Sequence, residues 1–288
     1  MFSRTVDHGR RLAAVALDGE IVAPKTVSKS SRDRKWRLKV SIGQVVAILL
    51  MLGVWQAISG NVIPDYLISS PTGVASDTIN LIQTKTMWND ILTTTQELVL
   101  GYAIGVVFGI LVGVLMGSLK YVSSVFEPII AGINGIPKIA LAPLFLLWFG
   151  LGIWSKVAQA SMIVFFVMYY NVYMGMLGIS PMLVKLFQVM GAKRGYVARK
   201  VVLPSLSIPI FAGLKACVPF AMIGVIVGEF IAADKGIGYF VLQATQQFDS
   251  AGLFSGIIIM VAMVLIGMGI VTFCQNRVLA WQRLGHGK

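Results

Sequence analysis

The chain has 288 residues, 57% of them hydrophobic and 12% charged, with a formal net charge of +12. A mean hydropathy of +0.81 excludes an ordinary soluble domain. Two cysteines, Cys217 and Cys274 in apolar runs, and two histidines, His8 and His286 near opposite ends, exclude a disulfide framework and a histidine-based catalytic or metal centre.

Residues 1–39 hold ten Lys/Arg against four acids. Asp18 and Glu20 closely follow the short LAAVAL run, so the segment lacks the apolar core of a signal peptide. It reads as a basic cytoplasmic arm that can touch anionic lipid. Six apolar stretches follow, at roughly 40–59, 95–117, 122–149, 154–178, 205–232 and 252–275. Each approaches or exceeds the ~20 residues that cross a bilayer as a helix. The expected fold is an all-α integral membrane protein, with a transmembrane domain over 40–276 and a cytoplasmic tail over 277–288.

With the N-terminus inside, nineteen of the 24 Lys/Arg fall in inner loops and tails, and only Lys85, Lys156 and Lys235 in outer ones. That asymmetry places both termini in the cytoplasm of a bacterial-type plasma membrane. The outer segment 60–92 contains SSPTGVASDTINLI, which reads as a turn and a short amphipathic helix capped by Ser70 or Thr72. The second span carries Gly101, Gly105, Gly109, Gly113 and Gly117, one every fourth residue. Such a stripe lets helices pack closely, within one subunit or between two.

The third span is interrupted by Pro128, Pro137 and Pro143. Each proline removes a backbone donor and bends or breaks a helix. In a membrane, freed carbonyls are satisfied by packed protein or by a water-filled cavity. Glu127, Lys138, Lys215 and Glu229 are charges within or beside spans, where charge is costly and often functional. Lys138, Lys215 and Glu229 are candidates for the translocation path; snorkelling and interfacial placement are the competing readings.

Between the fourth and fifth spans lies a loop over about 179–204. Leu183, Leu186, Phe187, Met190, Val197 and Val201 recur there at helical spacing, with Lys185, Lys193, Arg194, Arg199 and Lys200 on other faces. One or two short cytoplasmic helices are expected, with Gly191 allowing a break and Pro204 starting the next span. An interfacial helix held by anionic lipid fits the same pattern.

Gly191, nine residues, then Val201-Val202-Leu203-Pro204 resembles the Gly-x9-Ile-x-Leu-Pro core of the cytoplasmic loop in permease subunits of ABC importers. The usual Glu-Ala-Ala opening is replaced by Lys185-Leu186-Phe187. Gly135-Ile136-Pro137-Lys138, Leu147-Trp148-Phe149-Gly150, Val227-Gly228-Glu229-Phe230 and Gly236-Ile237-Gly238-Tyr239 are similar to the nitrate/sulfonate/taurine type of these permeases. The resemblance implies a type I importer permease fold. It implies a coupling helix, including Lys185, Leu186, Phe187, Met190, Gly191, Val201, Leu203 and Pro204, that docks on a separate ATPase subunit.

It further implies a second permease copy, an extracytoplasmic solute-binding protein, and ATP with Mg bound by the partner ATPase. No Gly-x4-Gly-Lys-Ser/Thr phosphate cradle occurs in this chain, which fits a pore subunit and not an enzyme. The implied cargo is a small anion such as a sulfonate, taurine or nitrate. The Gly-Glu-Phe variant is also similar to permeases for a thiamine precursor or riboflavin. An ion-coupled secondary transporter using Glu229 is the reading from a different class.

Overall fold

The computed structural model describes residues 31–279. The arm up to residue 30, the end of the tail and both histidines lie outside the described residues. Helix α1 covers Ser31–Ile58. It starts upstream of the expected span, so the basic residues 31–39, read from sequence as arm, continue a helix. Its Leu38–Ile58 portion is long and apolar enough to cross a membrane. The described residues up to Val54 form one unit and the described residues from Trp55 onward a second.

In the second unit the chain turns after α1. The Trp55 indole donates to the Ser69 carbonyl at 3.0 Å, and the Ser59 hydroxyl donates to the Ile68 carbonyl at 2.8 Å. Helix α2 covers Pro71–Ile82. The Ser70 side chain accepts from the Gly73 N–H at 3.1 Å, and Pro71 sits where its missing donor costs least. Helix α3 runs over Lys85–Ser118, started by a Thr84 cap on Met87. The span expected at 95 thus begins ten residues earlier, at Lys85. Its first turns are polar, which hides them from an apolar-run reading, but Met87, Asp90 and Thr94 are buried.

The expected third span is two helices. Helix α4 covers Lys120–Asn134 and α5 covers Ala142–Phe149, joined through a 3₁₀ turn at Lys138–Leu141. The two arms are bent by 80°. Pro137 has no N–H to continue α4, and Pro143 fits the first turn of α5. Gly150, at φ 74°, then ends α5 in a backbone region that favours glycine. Pro128 stays inside α4.

Helix α6 covers Ile153–Leu177, α7 Pro181–Val189 and α8 Arg194–Val197. A single π-helical turn at Ala198–Val202 leads into α9, Leu203–Ala232. Helix α10 covers Ile237–Gln246, and α11, capped by Asp249, covers Ser250–Val278. Among the described residues, five helices are long and apolar enough to cross a membrane, or six if the bent pair counts as one span.

The core of the second unit lies where α3, α6 and α9 meet, around Val106, Val164, Met168, Val172, Cys217 and Ala221. The glycine ladder of α3 lies against α6. A Cβ on Gly105 would stand 2.6 Å from the Ser161 carbonyl oxygen and from the Val164 Cβ. One on Gly109 would stand 2.7 Å from the Met168 Cβ, and one on Gly113 would stand 2.9 Å from that of Val172. Lipid is as apolar as these side chains, so close packing between helices, more than water exclusion, holds them together.

Candidate functional site

Two regions combine chemistry with unusual placement. The first is the segment between α6 and α9. Pro181 starts α7, and Gly191, at φ 80°, reverses the chain after it. Leu183, Leu186, Val189 and Met190 are exposed, Val189 at 86% and Met190 at 73%. Phe187 is half-buried, its ring 6.4 Å from that of Tyr196 on α8. A shallow hollow between the two short helices is lined by Phe187, Met190, Gly191, Ala192, Lys193 and Tyr196. Val201 is buried and roots the segment, Leu203 is exposed, and Pro204 lies in the first turn of α9. Lys185, Arg194, Arg199 and Lys200 are exposed around this apolar face.

The second region is a buried clasp at the far end of α9. The Glu229 carboxylate is fully buried. One oxygen accepts from the Thr94 hydroxyl at 2.7 Å and the other from the Gly238 N–H at 2.5 Å. The Thr94 oxygen in turn accepts from the Ile237 N–H at 2.9 Å, and Asp90 accepts from the Gly236 N–H at 2.8 Å. Three successive N–H groups at the start of α10, which have no intrahelical partner, are therefore bound by side chains of α3 and α9. Glu97 lies beside Glu229 and is itself buried, with one carboxyl oxygen unpartnered. Lys156 on α6 is buried too, and its ammonium donates to the carbonyls of Leu151 at 2.9 Å and Gly152 at 3.3 Å.

The expected translocation-path residues do not converge on one another. Glu229 belongs to the clasp. Lys138 is half-buried at the break between α4 and α5. It donates to the Asn134 carbonyl at 2.9 Å and stands 4.7 Å above the Phe166 ring. The Lys138 carbonyl accepts from the Gln159 side chain at 2.9 Å, which ties the break to α6. Lys215 is half-buried on α9. Sequence reasoning passed over Thr94 and Glu97 and assigned Asp90 and Lys156 to outer loops. The available signal was the spacing Asp90, Thr94, Glu97, which lines one helical face.

A bundle of apolar helices, broken once near a lysine and carrying an exposed two-helix connector, has the architecture of a polytopic membrane protein. Residues 105–280 match the family described as "Binding-protein-dependent transport system inner membrane component". The chain belongs to that family and is a permease subunit of an ABC importer.

The chain is 32% identical over 235 residues to the formylaminopyrimidine transport permease ThiX of Halalkalibacterium halodurans, a match covering 82% of this chain and 94% of that protein. It is 34% identical over 218 residues to the riboflavin transport permease RibX of Chloroflexus aurantiacus, covering 74% and 80%. It is 26% identical over 263 residues to the taurine transport permease TauC of Escherichia coli, covering 87% and 94%. In fold it is similar to a chain of a bacterial ABC transporter involved in import of the acidic polysaccharide alginate. The TM-score is 0.56 at 16% identity, over 85% of this chain and 97% of that one.

Proposed function

We propose that this permease moves a small solute into the cytoplasm by alternating access, as a pair of identical copies. A separate ATPase that binds ATP and Mg drives it, and an extracytoplasmic solute-binding protein loads it. Both termini face the cytoplasm. The observation that carries the reading is the connector between α6 and α9. Leu183 and Leu186 are exposed on a short helix between two spans and Met190 just after it, with Lys185, Lys193, Arg194, Arg199 and Lys200 exposed in the same segment. An apolar knob of that kind is an anchor for a protein groove. The basic residues also mark the connector as cytoplasmic.

For the solute, we take a planar nitrogen heterocycle as the first reading. The relatives named for formylaminopyrimidine and riboflavin share more identity with the chain than the one named for taurine. Lys138 also favours it, because its ammonium is already engaged by a carbonyl and an aromatic ring. A small anion such as a sulfonate, taurine or nitrate is the second reading, favoured by half-buried Lys215 beside the α9 core. Uptake by the reconstituted importer, with its binding protein, of a radiolabelled formylaminopyrimidine, riboflavin, taurine and nitrate tests this. Uptake of a heterocycle supports the first reading. Uptake restricted to taurine or nitrate supports the second.

A further inference from the structure

Glu97 on α3, Lys156 on α6 and Glu229 on α9 lie at one level between three closely packed helices. About one turn along each helix, Gly101 and Gly224 both lie against Ala160. A Cβ on Gly101 would stand 2.6 Å from the Ala160 Cβ, and one on Gly224 2.5 Å from its Cα. Gly228 lies against Lys156, where a Cβ would stand 2.8 Å from the lysine Cγ. None of the three charged residues is more than 3% exposed. We propose that Glu97 and Glu229 hold one proton between them, carried by Glu97, so that a buried carboxylic acid donates to a buried carboxylate.

The first support is the contact itself. The two carboxyl groups are within hydrogen-bond reach of each other. An ionised carboxylate is only an acceptor, so a hydrogen bond between two of them needs a proton on one. The second support is what each group meets. Both Glu229 oxygens accept, one from the Thr94 hydroxyl at 2.7 Å and the other from the Gly238 N–H at 2.5 Å, which suits an anion. Glu97 has a buried oxygen with no partner. On a carboxylate that oxygen would be part of an unpaired buried charge. On an acid it is a neutral carbonyl, which costs far less to leave unpaired.

The third support is the balance of charge. Lys156 supplies one positive charge at this level, and its ammonium donates to the carbonyls of Leu151 and Gly152. One lysine offsets one carboxylate, and a second carboxylate would stand unmatched. Asp90, further along α3, is bound to the Gly236 N–H and lies near the exposed Lys235. Among the described residues, no group of three His, Cys, Asp or Glu is placed to hold a metal ion. A proton is therefore the cation that fits this pair. It removes the repulsion between two adjacent anions and keeps the start of α10 seated on α3 and α9.

The test is infrared spectroscopy of the assembled importer in nanodiscs at neutral pH, isotope-labelled at the glutamate carboxyl carbon so that aspartates stay out of the band. The difference between wild type and Glu97→Gln should show the loss of one protonated-carboxyl stretch and no loss of carboxylate absorption. Loss of carboxylate absorption, with no protonated-carboxyl band, would overturn the proposal.

Thermal midpoints of the same assemblies test which residue carries the proton. In Glu97→Gln the side-chain amide can donate where the acid did. In Glu229→Gln an NH₂ group replaces one of the two accepting oxygens and meets a donor, Thr94 or Gly238. Glu97→Gln should therefore melt close to wild type, and Glu229→Gln clearly below both. The reverse order, or a Glu97→Gln chain that fails to assemble, would overturn the placement of the proton on Glu97.

Discussion

Thr94 does two things with one hydroxyl. It donates to Glu229 and accepts from the Ile237 N–H, and it is completely buried. Two effects hold the start of α10 there. Negative charge near a helix N-terminus contributes about 0.3–1 kcal/mol. Leaving a buried donor without an acceptor costs about 1–3 kcal/mol, so satisfaction of the N–H groups is the larger effect. Thr94→Val should therefore lower stability by about 1–3 kcal/mol, read as a fall in thermal midpoint of the detergent-solubilised protein. Thr94→Ser should recover most of the loss. Equal midpoints for Thr94→Val and wild type would show that the clasp is not holding α10. Glu229 was visible in the sequence as a charge in an apolar run. Thr94 was not, because a threonine at a polar helix start has many ordinary uses. Only the fold brings it to Glu229, 135 residues away.

Among the elements, α3 and α6 show how a sequence pattern can be read without its partner. The four-residue glycine repeat signals a close helix contact. It does not say which helix, and the structure places α6 there. Gly105→Ala drives a Cβ to 2.6 Å from a backbone oxygen and a buried valine, neither of which is the free end of a flexible chain. Overpacking of this kind costs about 1–3 kcal/mol. Gly132→Ala in α4 meets nothing within 4 Å and should instead stabilise by up to about 1 kcal/mol through helix propensity. Thermal midpoints of the two variants should move in opposite directions; a shared direction would contradict the packing. The α4–α5 break was legible at Pro137, whose ring forbids continuation. Its 80° angle was not, because the angle depends on what α6 offers the freed backbone, such as the Gln159 amide. The Ser70 cap and the helix that follows it were legible for a local reason: cap, proline and helix all lie within one turn.

At the scale of the molecule, the core of α3, α6 and α9 stands between the buried clasp on α10 and the exposed connector at α7–α8. The connector was readable because its signal is local: apolar spacing, basic flanks, a glycine and a proline. The clasp was not, because its parts come from α3, α9 and the start of α10. Gly191 sits at φ 80° with open space around it, so Gly191→Ala suffers from backbone strain and not from a clash. A left-handed residue with a Cβ costs about 1–2 kcal/mol, enough to reshape the α7–α8 turn. Uptake by that variant should fall while membrane insertion is unchanged, and normal uptake would show that the turn geometry is dispensable. Phe187 is a poorer probe of docking, since it packs on Tyr196 and its loss would also disturb the turn. Met190 is 73% exposed at the rim of the hollow, so its side chain is open to a partner. The most direct measurement is therefore capture of the ATPase subunit by the solubilised permease carrying Met190→Asp. We predict loss of capture and of ATP-driven uptake, with normal insertion of the spans. Wild-type capture by Met190→Asp would contradict the assignment of this connector as the coupling segment.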